Sequence, residues 1–225
     1  TYEPYLFAGY QEFLIFSSLI FASRYISLID FKKINLKLTS LILLILYTTC
    51  WFKDEGIIYF LIFSSILVVF LNISNLSKIS FIFCIIGLLI FQYLLQKYLI
   101  GIYDFPQKVS ISDIFYDLTN FKILFTKLFK ILMHCLIAFI KYPLWLIICI
   151  CVLIQLFFTN RIDVHSKYFL VCLFLNLAFI ISIFFTFKNF DFMLKVSLDR
   201  LLFQTSGFYL ALIFLSFKNI KLIDK

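Results

Sequence analysis

The chain has 225 residues, 64% of them hydrophobic, 21% aromatic and 14% charged, with a mean hydropathy of +1.06 and a formal net charge of +8. A soluble domain carries about 25% charged residues, so water is not the main solvent here, and the apolar excess also excludes intrinsic disorder. The apolar residues come in long continuous blocks, whereas barrel strands alternate apolar and polar residues over about ten positions; an all-α polytopic membrane protein remains.

Seven blocks read as transmembrane helices, because a span needs about 20 apolar residues, with a range of roughly 17 to 25. They run from Tyr5 to Ser23, Leu38 to Phe52, Ile57 to Leu71, Ile79 to Leu95, Leu144 to Thr159, Tyr168 to Phe187 and Leu201 to Phe217. An eighth block, Ile123 to Ile140, contains Lys127, Lys130 and His134. A lysine at the bilayer centre costs about 2.5–3.5 kcal/mol. At 100° per residue Lys122, Lys127, Lys130, His134 and Lys141 share an arc of about 140°, and this pattern predicts one interfacial amphipathic helix.

Orientation follows from the basic residues at span ends. The run from Asp30 to Lys37 is placed in the cytoplasm, with Arg24 snorkelling towards it. Alternation then puts Lys53 to Gly56, the loop 96–143 and Lys188 to Arg200 outside, and Asn72 to Lys78, Asn160 to Lys167 and Lys218 to Lys225 inside. Lys and Arg divide equally between the two sides; the cost of burying Lys127 and Lys130 decides the alternation. Nine of the twelve acids then lie at or near the outer face, leaving Asp30, Asp163 and Asp224 inside. With no repeat and no Pro/Gly-rich boundary, residues 1–225 read as one membrane domain. The outer loop 96–143 holds Tyr103 to Pro106, Asp113, Tyr116, Asp117 and the amphipathic helix. The chain starts at Thr1, and its first block lacks the basic n-region and cleavage site of a signal peptide; further spans are expected upstream.

The cations, 17 Lys and 3 Arg, punctuate apolar blocks instead of clustering on a soluble face, which argues against a nucleic-acid partner. Cys50, Cys84, Cys135, Cys149, Cys151 and Cys172 lie in apolar runs without paired spacing and read as small hydrophobes. His134 and His165 stand alone, without metal-ligand spacing. No phosphate-binding loop, dinucleotide fingerprint or nucleophile elbow occurs, and the sequons at Asn72 and Asn75 fall on the cytoplasmic side.

Three polar segments remain. Gly9-Tyr10-Gln11-Glu12 puts a carboxylate about 10 Å into a first span that starts at Tyr5, where it needs a polar cavity; a span starting at Phe13 leaves Glu12 wet. Lys53-Asp54-Glu55-Gly56 lies between two blocks of about 22 Å, short of the roughly 30 Å hydrocarbon core. It is either drawn below the surface or, as spacing alone favours, a polar hairpin turn in which Gly56 supplies backbone freedom. Arg200 follows Ser197-Leu198-Asp199 just before the last span. Its guanidinium suits a lipid phosphate, or it anchors the helix by pairing with Asp199.

In this order the three segments resemble motifs of polytopic GT-C-type glycosyltransferases, which take sugars from polyprenyl-phosphate donors. Gly9-Tyr10-Gln11-Glu12 is similar to a Gly-Tyr-x-Asp element. Lys53-Asp54-Glu55-Gly56 is similar to a Lys/Arg-x-Glu-Gly element between short spans, and Ser197-Leu198-Asp199-Arg200-Leu201-Leu202-Phe203-Gln204 to a Ser-x-Asp/His-Arg-Leu-Leu-x-Gln run. The resemblance covers nearly the whole chain through short, degenerate motifs, and the chain departs from it where Ser206-Gly207 replaces a proline that often follows the arginine run.

The resemblance implies a hexosyl- or pentosyltransferase of cell-envelope polysaccharide or lipid glycosylation, at the outer face of a bacterial inner membrane. Its partners are then the lipid bilayer and a polyprenyl-phosphate-linked sugar. Arg200, with Lys53, is expected at the phosphate, and Glu12, Asp54, Glu55 and Asp199 are expected to complete the substrate site. The catalytic base is not assigned and is expected upstream of Thr1; no cofactor is assigned, and a divalent metal is left open. Competing readings are a transporter or flippase of lipid-linked sugars, an O-antigen polymerase or ligase, and a non-enzymatic membrane subunit.

Overall fold

The computed structural model describes residues 3–33, 35–100, 119–157, 162–185 and 190–221, with side chains except at 3–9, 99–100 and 218–221. All regular structure among them is helical. The helices are α1 (Glu3–Ile26), α2 (Leu36–Phe52), α3 (Asp54–Phe70), α4 (Asn75–Leu95, continued by a π-helical turn Gln96–Ile100), α5 (Phe121–Lys141), α6 (Pro143–Phe157), α7 (Val164–Phe184) and α8 (Phe190–Lys221). The described residues of each predicted block lie mostly in a helix. The residues 101–118, with Tyr103, Asp104, Pro106, Asp113, Tyr116 and Asp117, lie outside the described residues, as do Arg161, Lys188 and Asp224.

Side-chain oxygens set several helix starts: Asn35, Ser74 and Asn120 accept hydrogen bonds from the backbone N–H three residues on, capping α2, α4 and α5. Asp54 and Glu55 occupy the first turn of α3, where carboxylates complement the helix dipole. The α4, α5, α7 and α8 helices are long and apolar enough to cross a membrane, whereas α2 and α6 are apolar but shorter.

The last helix is the hub. Its 32 residues reach about 48 Å at 1.5 Å per residue, and α1, α3, α6 and α7 pack around it. Phe16 of α1 stacks on Phe203, Phe63 of α3 on Phe208, and Phe169 of α7 tilts onto the same Phe208 ring. In α1 the buried Ile15, Leu19, Ala22 and Ile26 repeat every three or four residues, the stripe of a helix with one apolar side inward. By contrast, α4 and α5 are peripheral, with most of their apolar side chains exposed.

Long-range contacts give the helix directions. Glu12 meets Lys53 and Ser18 meets Thr48, so α1 and α2 are antiparallel. Glu12 meets Arg200 and Phe16 meets Phe203, so α1 and α8 run the same way. Tyr142 bonds to Asp199, Trp145 to the Leu202 carbonyl and Gln155 to the Leu212 carbonyl, so α6 also follows α8. Lys130 reaches Asp191 further back along the same line. The second half of α5 therefore continues the course of α6 beside the first ten residues of α8, with the break at Tyr142-Pro143.

Several helices start before their predicted blocks, as α3 does at Asp54, α4 at Asn75 and α7 at Val164, and two such differences bear on the polar candidates. The final helix starts at Phe190, not Leu201, so Asp191 to Arg200 form its first turns and not a loop. And α1 starts at Glu3, so Glu12 is a mid-helix residue whether the span begins at Tyr5 or at Phe13.

Candidate functional site

The α2–α3 junction is a single residue. Lys53 is extended between Phe52, the last of α2, and Asp54, the first of α3. So sharp a reversal brings the two helices into contact at Gly56, where a Cβ would sit 2.0 Å from the Thr49 carbonyl oxygen. The Thr49 hydroxyl donates to the Gly56 carbonyl at 3.0 Å and holds the junction shut. Glycine is thus required by close approach, since its backbone is ordinary helix; this corrects the expectation that Gly56 supplies conformational freedom.

The tight turn aims Lys53 inward. Its Nζ lies 2.9 Å from Glu12 Oε1, and both side chains are sheltered, at 14% and 13% exposure. Arg200 Nε lies 2.5 Å from the same oxygen, on a guanidinium that is 40% exposed. That Nε makes no hydrogen bond of good geometry, so the contact is electrostatic in character. One carboxylate oxygen from α1 thus bridges two cations, one from the α2–α3 turn and one from α8, and the three groups carry a net charge of +1. A second glycine permits this meeting: a Cβ at Gly207 would lie 2.8 Å from the Phe16 carbonyl oxygen. Small residues let helix backbones approach closely, and here the approach brings α1 alongside α8. Gly207 stands in the region where the resemblance puts a proline, and α8 passes through it as continuous helix.

The remaining predicted residues divide. Glu55 is half-buried one turn along from Lys53, and Tyr59 stands within electrostatic reach of both Glu55 and Glu12. Asp54 is exposed. Asp199 does not pair with Arg200, contrary to the anchor reading. Its Oδ2 accepts a hydrogen bond from the Tyr142 hydroxyl at 2.5 Å and lies 3.6 Å from Lys141 Nζ. One helix residue separates the two side chains by about 100°, so Asp199 points to the α5–α6 break while Arg200 points to α1.

Below the charged cluster the interior stays polar. Tyr59 donates to Gln204 Oε1 at 3.0 Å, and Tyr209 donates to the Cys172 carbonyl at 3.2 Å beside the fully buried Asn176. Neither amide atom of Asn176 has a hydrogen bond of good geometry, and Gln204 Nε2 also lacks one.

Sequence reasoning missed Tyr142 and Tyr59, and gave no site role to Gln204 or Gly207. The Tyr-Pro break between two apolar blocks marks Tyr142, and a lone glycine in a span marks Gly207; nothing local marks Tyr59. Of the cysteines, Cys50, Cys135, Cys151 and Cys172 are buried, Cys149 is half-buried and Cys84 lies exposed on α4. Among the described residues no three His, Cys, Asp or Glu side chains converge as a metal-binding set, so the divalent ion left open above has no ligand set among them.

This architecture is that of an all-helical, membrane-embedded protein with a sheltered ionic cluster at one end of its bundle. Comparison with protein-family models, curated proteins and solved structures finds no match to the chain.

Proposed function

We propose that the chain is a membrane glycosyltransferase that moves a sugar from a polyprenyl-phosphate donor to a cell-envelope acceptor at the outer face of a bacterial inner membrane. The observation that carries this reading is the convergence of Glu12, Lys53 and Arg200. They lie on three separate parts of the chain, each was singled out by the resemblance, and they meet through one carboxylate oxygen.

The same residues support a position for the bilayer. From Arg200 to Lys221 the last helix covers 21 steps, about 32 Å, which matches the roughly 30 Å hydrocarbon core. Phe190 to Asp199 then stand outside it, and the half of α5 beside them lies at the interface. In this arrangement the seven other helices span, and α2 and α3, at about 25 Å each, hold the ionic cluster at the core boundary.

Transfer to an acceptor hydroxyl forms a bond from the acceptor oxygen to the anomeric carbon as the bond from that carbon to the phosphate oxygen breaks. The departing polyprenyl phosphate takes the electron pair, and the acceptor proton passes to a base. Arg200, with two N–H groups on one plane, is suited to the departing phosphate, and Lys53 adds a second cation. Glu12 holds both cations in place, and Glu55 and Asp54 offer acceptors for sugar hydroxyls. The base is not assigned.

The test is transfer of radiolabelled sugar from a polyprenyl-phosphate donor in membranes. Arg200→Ala is expected to lower transfer about 100-fold or more, in the range of other charge-stabilising donors, and Arg200→Lys is expected to recover only a minor part. Full activity of Arg200→Lys would refute the bidentate role.

A second reading, transport of lipid-linked sugars across the bilayer, is favoured by the buried amides of Asn176 and Gln204 on neighbouring helices. Polar groups deep in a bundle are what a transport path needs. Movement of a fluorescent lipid-linked sugar between liposome leaflets, unchanged by Arg200→Ala and abolished by Asn176→Leu, would select it.

A further inference from the structure

The α5 helix has three sides of different chemistry. Ile131, Cys135 and Ala138 are buried against the bundle. Phe121, Phe125, Phe129, Leu132 and Leu136 are exposed and at 100° per residue fall within about 80° on a second side, and the exposed Met133, Ile137 and Ile140 carry this apolar flank on past Lys122. The third side carries Lys122, Lys127, Lys130, His134 and Lys141, and α5 contains no acid to balance them. A helix with one wet basic flank and one exposed aromatic-aliphatic flank has the build of an interfacial helix, with rings among acyl chains and ammonium groups among headgroups.

Two of these lysines, Lys130 and Lys141, form exposed ion pairs with α8. Lys130 pairs with Asp191 at 2.9 Å, the two side chains 46% and 68% exposed. Lys141 lies 3.6 Å from Asp199, at 62% and 42% exposure. Lys127 sits 5.4 Å from the centre of the Phe190 ring. Exposed pairs of this kind contribute little to stability, and their carboxylate oxygens are chemically close to the phosphate oxygens of a headgroup.

We propose that α5 is a docking surface for anionic phospholipid headgroups. Its lysines exchange between the carboxylates of the first turns of α8 and lipid phosphates, while its apolar flank faces the lipid. Charge complementarity selects an anionic over a zwitterionic surface, because the lysine flank has no neutralising acid on its own helix. The surface is separate from the Glu12–Lys53–Arg200 cluster and does not depend on the transferase reading.

The full chain in nanodiscs of phosphatidylcholine with 30 mol% phosphatidylglycerol, a composition chosen on the order of the anionic content that attracts basic segments, is released into detergent and its retained lipids are counted by native mass spectrometry. Phosphatidylglycerol is expected to be enriched over phosphatidylcholine. The Lys122→Gln/Lys127→Gln/Lys130→Gln/Lys141→Gln variant is expected to lose that enrichment about tenfold or more, since each lysine near an anionic surface contributes independently. Asp191→Asn, which releases Lys130 from its carboxylate, is expected to raise the enrichment.

Equal enrichment in wild type and the fourfold variant overturns the proposal, and so does a fall with Asp191→Asn, which would mean that the pair serves only to hold α5 in place. Helix content by circular dichroism identifies a misfolded variant, in which case single Lys→Gln changes at Lys122 and Lys130 carry the test, each expected to reduce enrichment. The enrichment is read with no sugar donor present, so its outcome is distinguishable from failure of the transferase reading.

Discussion

The two ends of the bundle close by different means. At the end predicted to be cytoplasmic, Phe31 packs edge-on against Phe70 and His165 and tilts against Tyr168, while Asn72 N–H donates to the Phe31 carbonyl at 3.0 Å. His165 bridges the Ile29 carbonyl, at 2.8 Å from Nε2, and Asp163, at 3.1 Å from Nδ1. Rings and backbone groups satisfy one another there. At the opposite end, two cations and one carboxylate are gathered, Lys53 and Glu12 sheltered and Arg200 partly exposed, with an imbalance of one positive charge among the three. A sheltered ion cluster is costly to assemble and adds little stability compared with apolar packing. The first end is built for closure, whereas the second gathers unlike charges that the proposed phosphate ligand would complete.

Five substitutions probe this contrast. Gly56→Ala is expected to have the largest effect. Its Cβ meets backbone that cannot move aside, so the α2–α3 turn must open, at a cost above about 3 kcal/mol, beyond the usual range for a single change. Thermal unfolding in detergent should fall by roughly 10 °C, and Lys53 should become reactive to amine reagents. A melting point near wild type would show that the turn is not tight.

Phe31→Ala removes a ring that is 5% exposed at the aromatic end. It is expected to cost about 3 kcal/mol through the cavity it leaves, with sugar transfer retained below the new melting point. Loss of transfer at full folding would break the division between the two ends.

Glu12→Ala strands Lys53 and Arg200 beside one another. A buried ion left unpaired costs about 3–5 kcal/mol, and partial exposure lowers the expectation to about 2. Paired with Lys53→Ala in a double-mutant cycle, it should reveal coupling of about 1 kcal/mol. Additive effects would mean that the pair does not form in the membrane. The smallest effect is expected for His165→Ala, which loses one hydrogen bond to the Ile29 carbonyl and about 1 kcal/mol, again with transfer unchanged.

Much of the helical architecture was legible in the chain itself. Hydropathy located every helix, because apolar blocks of this length in lipid must satisfy their backbone groups internally and helices do so locally. The lysine stripe of α5 was equally legible, since the positions of Lys127, Lys130 and His134 fix their side of a helix regardless of what packs on it. Less legible was the start of α8, where Asp191, Lys195 and Asp199 mimic a loop. Those residues are helical because the apolar Leu194 and Leu198 between them are buried against the bundle, and that burial is tertiary.

The ionic cluster divides in the same way. Sequence marked Glu12, Lys53 and Arg200 as three unusual polar residues at span ends, and could not say whether any two touch. Contact between residues 41 and more positions apart depends on how closely helices approach. That approach is set by Gly56 against Thr49 and by Gly207 against Phe16, pairings that no local pattern reveals. Sequence also set Asp199 beside Arg200 as a natural pair, whereas adjacent helical residues diverge by about 100°. Composition and periodicity therefore determined the solvent, the helices and the polar candidates, because these depend on each residue and its near neighbours. The packing of α1 and the α2–α3 turn on α8 decided which candidates form one site, because only the approach of distant backbones brings charges within reach of one oxygen.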